Sequence, residues 1–152
     1  MKVKDLMTKK PITMKPNDTL GKVVHTLYDK NISGCPVVSN GKLIGVVTQT
    51  DVIRTIDVYE KVNKSGDLFS LIMAVINSSD KSIKLQLRKL LKIRVRDFMN
   101  PKVIFIGEDE DVYKAANLIN RHEIDRLPVI RNGKLTGILT KKDMLKLLEE
   151  IE

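Results

Sequence analysis

The chain has 152 residues, of which 42% are apolar, only 4% are aromatic and none is Trp, so a folded interior has to be built from Ile, Leu and Val. Its formal charge of +8 favours anionic partners without choosing among nucleotide, nucleic acid and acidic protein. The longest apolar run, at 71–76, is far too short to cross a bilayer, the first ten residues hold no apolar signal core, and a lone Cys35 excludes an internal disulfide framework, so the expectation is a soluble protein of the reducing cytoplasm.

The first pattern opens with VKDLM at 3–7 and a short extended stretch, PITM, at 11–14. Leu20, Val23, Val24 and Leu27 then share one face at helical spacing, and Asn17, Asp18 or Thr19 can cap that helix. CPVV at 35–38 predicts a strand opened by proline, which is tolerated at the first residue of a strand. Asn40-Gly41 predicts a two-residue hairpin turn, because a type I′ turn needs positive φ at both positions. LIGVVT at 43–48 supplies the returning strand, with Gly45 placed for close approach of a backbone or a ligand. A helix begins after Thr48, and Thr48-x-x-Asp51 has the form of a capping box.

Residues 57–94 follow a different pattern. DLFSLIMAVIN at 67–77 is apolar on too many faces for an isolated surface helix and predicts burial. Residues 78–93 predict a second helix with Ile83, Leu87, Leu90 and Leu91 along one stripe. From Lys81 to Arg96 there are seven basic residues and no acidic one, the composition of a solvated face.

At Val95 the first pattern returns, carried over by a shift of 92 positions without a gap. VRDFM and the extended KVIFI lead to Val112, Ala115, Ala116 and Ile119 on a helix face, with caps available from Asp109 to Asp111. LPVI, the Asn132-Gly133 turn, LTGILT with Gly137, and Thr140-x-x-Asp143 complete it. The chain is therefore α/β (α+β): two units, 3–56 and 95–150, each β-α-β-β-α, with a helical insertion at 57–94. A unit this small does not close a core alone, so the two should pack as a pseudo-two-fold pair.

The doubled Asp-x-Met, x-Pro-Val and NGKLxGxxTxxD motifs, in order and at matched spacing, resemble a tandem pair of CBS (cystathionine β-synthase) domains, a stand-alone Bateman module. The resemblance covers both repeats and leaves 57–94 unmatched. It implies two related clefts between sheet-packed domains that take AMP, ADP, ATP or S-adenosylmethionine-type ligands. It also implies no catalytic cofactor, a disc-like homodimer, and an energy- or metabolite-sensing role signalled to an effector protein in trans.

Thr-x-x-Asp admits two readings that can coexist. In one, Thr and Asp only cap the helix. In the other, the helix macrodipole keeps the carboxylate ionised, and it accepts from both hydroxyls of a ribose while free helix N–H groups receive phosphate. The resemblance assigns ribose to Asp51 and Asp143 with help from Thr48 and Thr140. It assigns adenine to backbone and apolar groups at Ile12, Gly34, Cys35 and Pro36 in the first copy and Ile104, Leu127 and Pro128 in the second. Phosphate falls to Arg126, Lys141 and Lys142, whose counterparts in the first copy are Gly34, Gln49 and Thr50. Asp125 stands where the family often has a histidine and subtracts positive charge. The expectation is asymmetry, with the more charged ligand in the cleft of Asp143 and Arg126.

No phosphate-binding GxxxxGK(S/T) loop, GxGxxG or GxSxG motif is present, and His25 and His122 occupy unmatched positions, so neither an enzyme nor a protein-held metal is expected. Two other readings compete. One is nucleic-acid binding through 81–96, weakened by the lack of aromatics there. The other is a structural dimerisation module with vestigial clefts.

Overall fold

The computed structural model of the chain describes residues 1–63, 77 and 81–149. The first repeat gives α1 (Val3–Leu6), β1 (Thr8–Lys9), α2 (Leu20–Asp29), β2 (Gly34–Ser39), β3 (Lys42–Thr48) and α3 (Gln49–Asn63). A helix of the insertion, α4 (Lys81–Leu90), precedes the second repeat: α5 (Val95–Phe98), β4 (Ile106–Gly107), α6 (Val112–His122), β5 (Arg126–Arg131), β6 (Lys134–Thr140) and α7 (Lys141–Glu149). The mixed α/β class and the β-α-β-β-α order are as expected. In the first copy the opening strand shrinks to a single parallel bridge, Met14 to Val37. The stretch 67–76 lies outside the described residues.

Both hairpins turn on Asn-Gly, with φ of 52° and 78° at Asn40 and Gly41 and 50° and 76° at Asn132 and Gly133. These are the left-handed angles a type I′ turn requires, which Asn tolerates and Gly adopts freely. Each hairpin carries an irregularity at the same place, between Val37 and Val38 and between Val129 and Ile130. The sheet runs β2-β3-β6-β5-β4, and the two hairpins meet at one register pair, Lys42 with Lys134. Beyond that pair, β6 takes β1 as its neighbour through Thr8↔Ile138 and Lys9↔Gly137. In the matching place on β3, Val46 bridges Asn100.

The two units therefore exchange their leading segments. Val3 of α1 is fully buried in the second core with Ile106, Ala115, Ile119, Leu127, Val129 and Leu139. Val95 of α5 is fully buried in the first core with Met14, Leu20, Val23, Val37, Val47 and Val52. Backbone bonds fasten each seat: Val3 N–H donates to Glu110 O at 2.9 Å, and Val95 N–H to Asp18 O at 2.8 Å. Sequence order alone places each of these turns with its own unit. The physical reason for the exchange is that β1 is paired to β6, so α1 is already delivered to the far side.

The same exchange explains Gly45 and Gly137. A Cβ at residue 45 would sit 2.6 Å from the Met99 sulfur and 3.1 Å from the Asn100 carbonyl oxygen. One at residue 137 would collide with the Met7 sulfur and lie 3.0 Å from Thr8 O. What approaches each glycine is the other unit's methionine and backbone.

The helix faces follow their spacing. Leu20, Val23 and Leu27 are buried on α2, and Val112, Ala115 and Ile119 on α6, whereas Val24 is 39% exposed. Thr19 and Asp111 are the caps used. In the insertion, Leu90 is buried in the first core with Leu87 against it, while Leu91 lies partly in solvent. All seven basic residues from Lys81 to Arg96 are exposed. No helix among the described residues is long and apolar enough to cross a membrane.

Candidate functional site

The start of α3 and the start of α7 are built alike. Thr48 Oγ1 accepts from Asp51 N–H at 3.2 Å, while Asp51 Oδ2 accepts from the Thr48 backbone N–H at 2.9 Å and its hydroxyl at 3.0 Å. At the second start the same three bonds measure 3.3, 2.9 and 2.8 Å. The capping box is thus formed in both copies. It occupies only Oδ2. The other oxygen, Oδ1, faces a cation one turn on: Lys146 Nζ at 3.2 Å from Asp143, and Arg54 Nη1 at 3.8 Å from Asp51. Both carboxylates are recessed, with side chains 7% and 12% exposed.

Each Asp lies at the edge of a cleft. The larger, about 760 Å³, is lined by Thr140, Lys141, Lys142, Asp143 and Lys146 of the second unit and by Thr8, Lys10, Ile12 and Asn31 to Gly34 of the first. The smaller, about 360 Å³, is lined by Thr48 to Asp51 and Arg54 of the first unit and by Asn100, Lys102, Ile104, Glu123, Ile124 and Pro128 of the second. Under the 92-residue shift almost every lining position of the smaller cleft has its counterpart lining the larger.

Each cleft is composite, because the exchanged segments carry the loops after them across the molecule. Ile12 and Gly34 accordingly meet Asp143, and Ile104 and Pro128 meet Asp51, so the apolar and acidic elements of one copy fall in different clefts. Cys35, Pro36 and Leu127 line neither cleft: all three are buried, and Cys35 and Leu127 belong to the first and second cores. Burial pushes the Cys35 thiol up to about 11.

The charges are unequal. The larger cleft gathers six cations, Lys10, Lys30, Arg126, Lys141, Lys142 and Lys146, against two carboxylates, Asp125 and Asp143. The smaller sets Arg54, Lys102 and Arg126 against Asp51, Glu123 and Asp125. Asp125 is answered locally: its carboxylate pairs with Lys141 Nζ at 3.0 Å, and that hydrogen bond holds its pKa below the ordinary range. Arg126 is half-buried, and its guanidinium donates to the Ser33 hydroxyl. Burial lowers its pKa from the ordinary arginine value, against the pull of Asp125, and it remains a cation. None of the seven cations of 81–96 lines either cleft.

Sequence reading missed Lys10, Lys102, Arg54 and Lys146. The signal was present: Lys10 falls on Lys102 and Arg54 on Lys146 under the same shift, so a basic residue recurs at both places. Lys10 also has φ of 51°, a left-handed backbone that a lysine adopts at a cost of about 1 kcal/mol.

Comparison with known proteins agrees with this architecture. The CBS domain family matches residues 3–58 and again 95–150. The uncharacterized protein MJ1426 of Methanocaldococcus jannaschii is 33% identical, covering 97% of this chain and 91% of its own length. Other curated relatives are longer, and the chain spans less than half of several of them. Among solved structures, the CBS domain pair of MJ0100 in complex with 5-methylthioadenosine and S-adenosyl-L-methionine matches with a TM-score of 0.70 at 24% identity, covering 100% of this chain and 98% of that one. CBSX2 in complex with AMP matches with a TM-score of 0.73 at 24% identity, covering 99% and 97%. The fold is thus one shared with solved CBS-domain pairs, and the chain belongs to the CBS-domain family, with one domain in each repeat.

Proposed function

We propose that this chain is a regulatory module that binds adenosine-containing ligands in its two clefts, through binding rather than turnover. The observation that carries the reading is the position-for-position match of the clefts, each closed by a recessed first-turn carboxylate with one oxygen outside the cap. A ribose diol is the group such an oxygen selects, and Ile12 or Ile104 offers an apolar wall for a base. That MJ0100 and CBSX2 are solved with adenosine compounds supports the assignment. In this reading Asp51 and Asp143 hold ribose, Thr48 and Thr140 fix them, and Arg126, Lys141 and Lys142 receive phosphate. The Asp143 cleft takes the more highly charged ligand, because cations outnumber carboxylates there.

Ligand acts by favouring one arrangement of the two domains, which an effector in trans then reads. The chain pairs with a second copy through α3 and α7, where Ile53 is 52% exposed and its repeat counterpart Leu145 is 62% exposed, with Leu148 beside it at 65%. Sedimentation of Leu145→Asp tests the pairing: it should run as a monomer, and an unchanged dimer would refute this surface.

Calorimetry with adenosine, AMP, ATP and S-adenosylmethionine tests the ligand class, repeated on Asp51→Ala and Asp143→Ala. Each variant should lose one site. In Asp51→Ala, AMP should bind at least about 10-fold tighter than adenosine, the worth of one charged hydrogen bond. No binding of any adenosine compound would overturn the proposal, as would binding indifferent to both variants.

A further inference from the structure

Three side chains line both clefts at once: Ser33, Asp125 and Arg126. They form the partition between the clefts, and they lie at the pseudo-two-fold, since Ser33 and Asp125 are counterparts under the 92-residue shift. So are Gly34 and Arg126. An exactly repeated chain would bring two guanidinium groups to this point, one for each cleft. Here residue 34 has no side chain, and Arg126 fills the space over it. A Cβ at residue 34 would lie 2.5 Å from Arg126 Nη1 and 2.9 Å from its Cζ. The guanidinium reaches across to the Ser33 hydroxyl, and it is attracted electrostatically first by Asp125 and, to a smaller extent, by Asp51 in the smaller cleft. Asp125, its neighbour in sequence, makes its ion pair with Lys141.

We infer that Arg126 is one phosphate-binding cation serving both clefts, so that a phosphate-bearing ligand in either cleft weakens binding of a second such ligand in the other. A guanidinium grips one phosphate through two parallel N–H bonds, and its single positive charge, once answered by a phosphate in one cleft, attracts a second phosphate in the other less. The effect is reciprocal by linkage. A nucleoside makes no demand on Arg126, so two nucleosides bind independently. This inference rests on the adenosine reading above and adds to it a rule for double occupancy.

The test separates shared demand from mere inequality of the clefts. Asp51→Ala and Asp143→Ala each leave one cleft intact and report its intrinsic affinity for AMP and for adenosine. In the wild-type chain, the second AMP should bind on the order of 10- to 100-fold more weakly than the single-cleft value for the same cleft. Adenosine should match its single-cleft values at both sites. Arg126→Gln should lower AMP affinity in both clefts and abolish the coupling. Should that variant also lose adenosine binding, and so be damaged in fold, Arg126→Lys keeps the charge without the fork and should show reduced coupling. Two AMP molecules binding the wild-type chain at their intrinsic affinities would overturn the inference while leaving the adenosine reading intact. Coupling that survives Arg126→Gln would overturn it too, since repulsion between phosphates would then suffice. Failure of adenosine itself to bind would remove the underlying reading.

Discussion

Asp143 shows how one side chain meets two demands. Its Oδ2 takes both donors of Thr140 while Oδ1 stays toward Lys146 and the cleft. Replacing Asp143 by Ala should therefore cost about 1 kcal/mol of stability through the lost cap, measured by denaturant unfolding without ligand. The same change should remove ligand from the larger cleft, so two separate instruments read the two roles. Cys35 makes a different prediction. Its thiol ionises near 9.0 when free but at about 11 in the fold, because burial penalises the thiolate. Between those values the folded chain holds the extra proton, so stability contributed by the buried thiol falls as pH rises through that window. It is fully present below it. The difference in unfolding free energy between wild type and Cys35→Ala should narrow from about pH 9 to about pH 11, at no more than about 1.4 kcal/mol per pH unit. Iodoacetamide should label Cys35 only as fast as the chain opens.

At the scale of elements, the exchanged turns α1 and α5 decide which residues support which core. Val3→Ala should cost about 2 kcal/mol, the loss of two buried methyl groups and a small cavity, and the damage should appear in the second domain. Hydrogen exchange should speed in α6 and β5 for Val3→Ala, and in α2 and β2 for Val95→Ala. Damage confined to each residue's own repeat would contradict the exchange. This is also where reading the sequence stopped short. The hairpins, caps and helix faces were legible because each rests on neighbours within a few positions: Asn40-Gly41 needs only its own φ angles, and Leu20 and Val23 only their spacing. VKDLM and VRDFM resemble each other so closely that either could fill either seat. The choice between seats is made by tertiary pairing of Thr8 with Ile138, which no local pattern encodes. For the same reason the repeat pattern sets Ile12 in the same copy as Asp51, whereas the fold delivers it to the cleft of Asp143.

The whole molecule is a near-symmetric body with an asymmetric field. Both clefts repeat the same positions, yet Lys141 and Lys142 stand where Gln49 and Thr50 do, and the cation excess is confined to one side. AMP affinity in the larger cleft should consequently fall with added salt more steeply than adenosine affinity, and the smaller cleft, where Arg126 meets the phosphate without Lys141 and Lys142, should show a smaller difference. Titrations of the two Asp→Ala variants in low and high salt check it, and equal slopes would refute the field. The exchange of arms has a further consequence for how such a body could arise. In this arrangement one repeat taken alone leaves its arm unseated and its socket empty. Two identical half-length chains, however, would satisfy each other by trading arms, which is the logic of a swapped dimer. Joining the halves through a segment such as 57–94 leaves that handshake unchanged and frees the two sides from being identical. A glycine could then settle opposite an arginine at the axis, a pairing that no symmetric dimer can make.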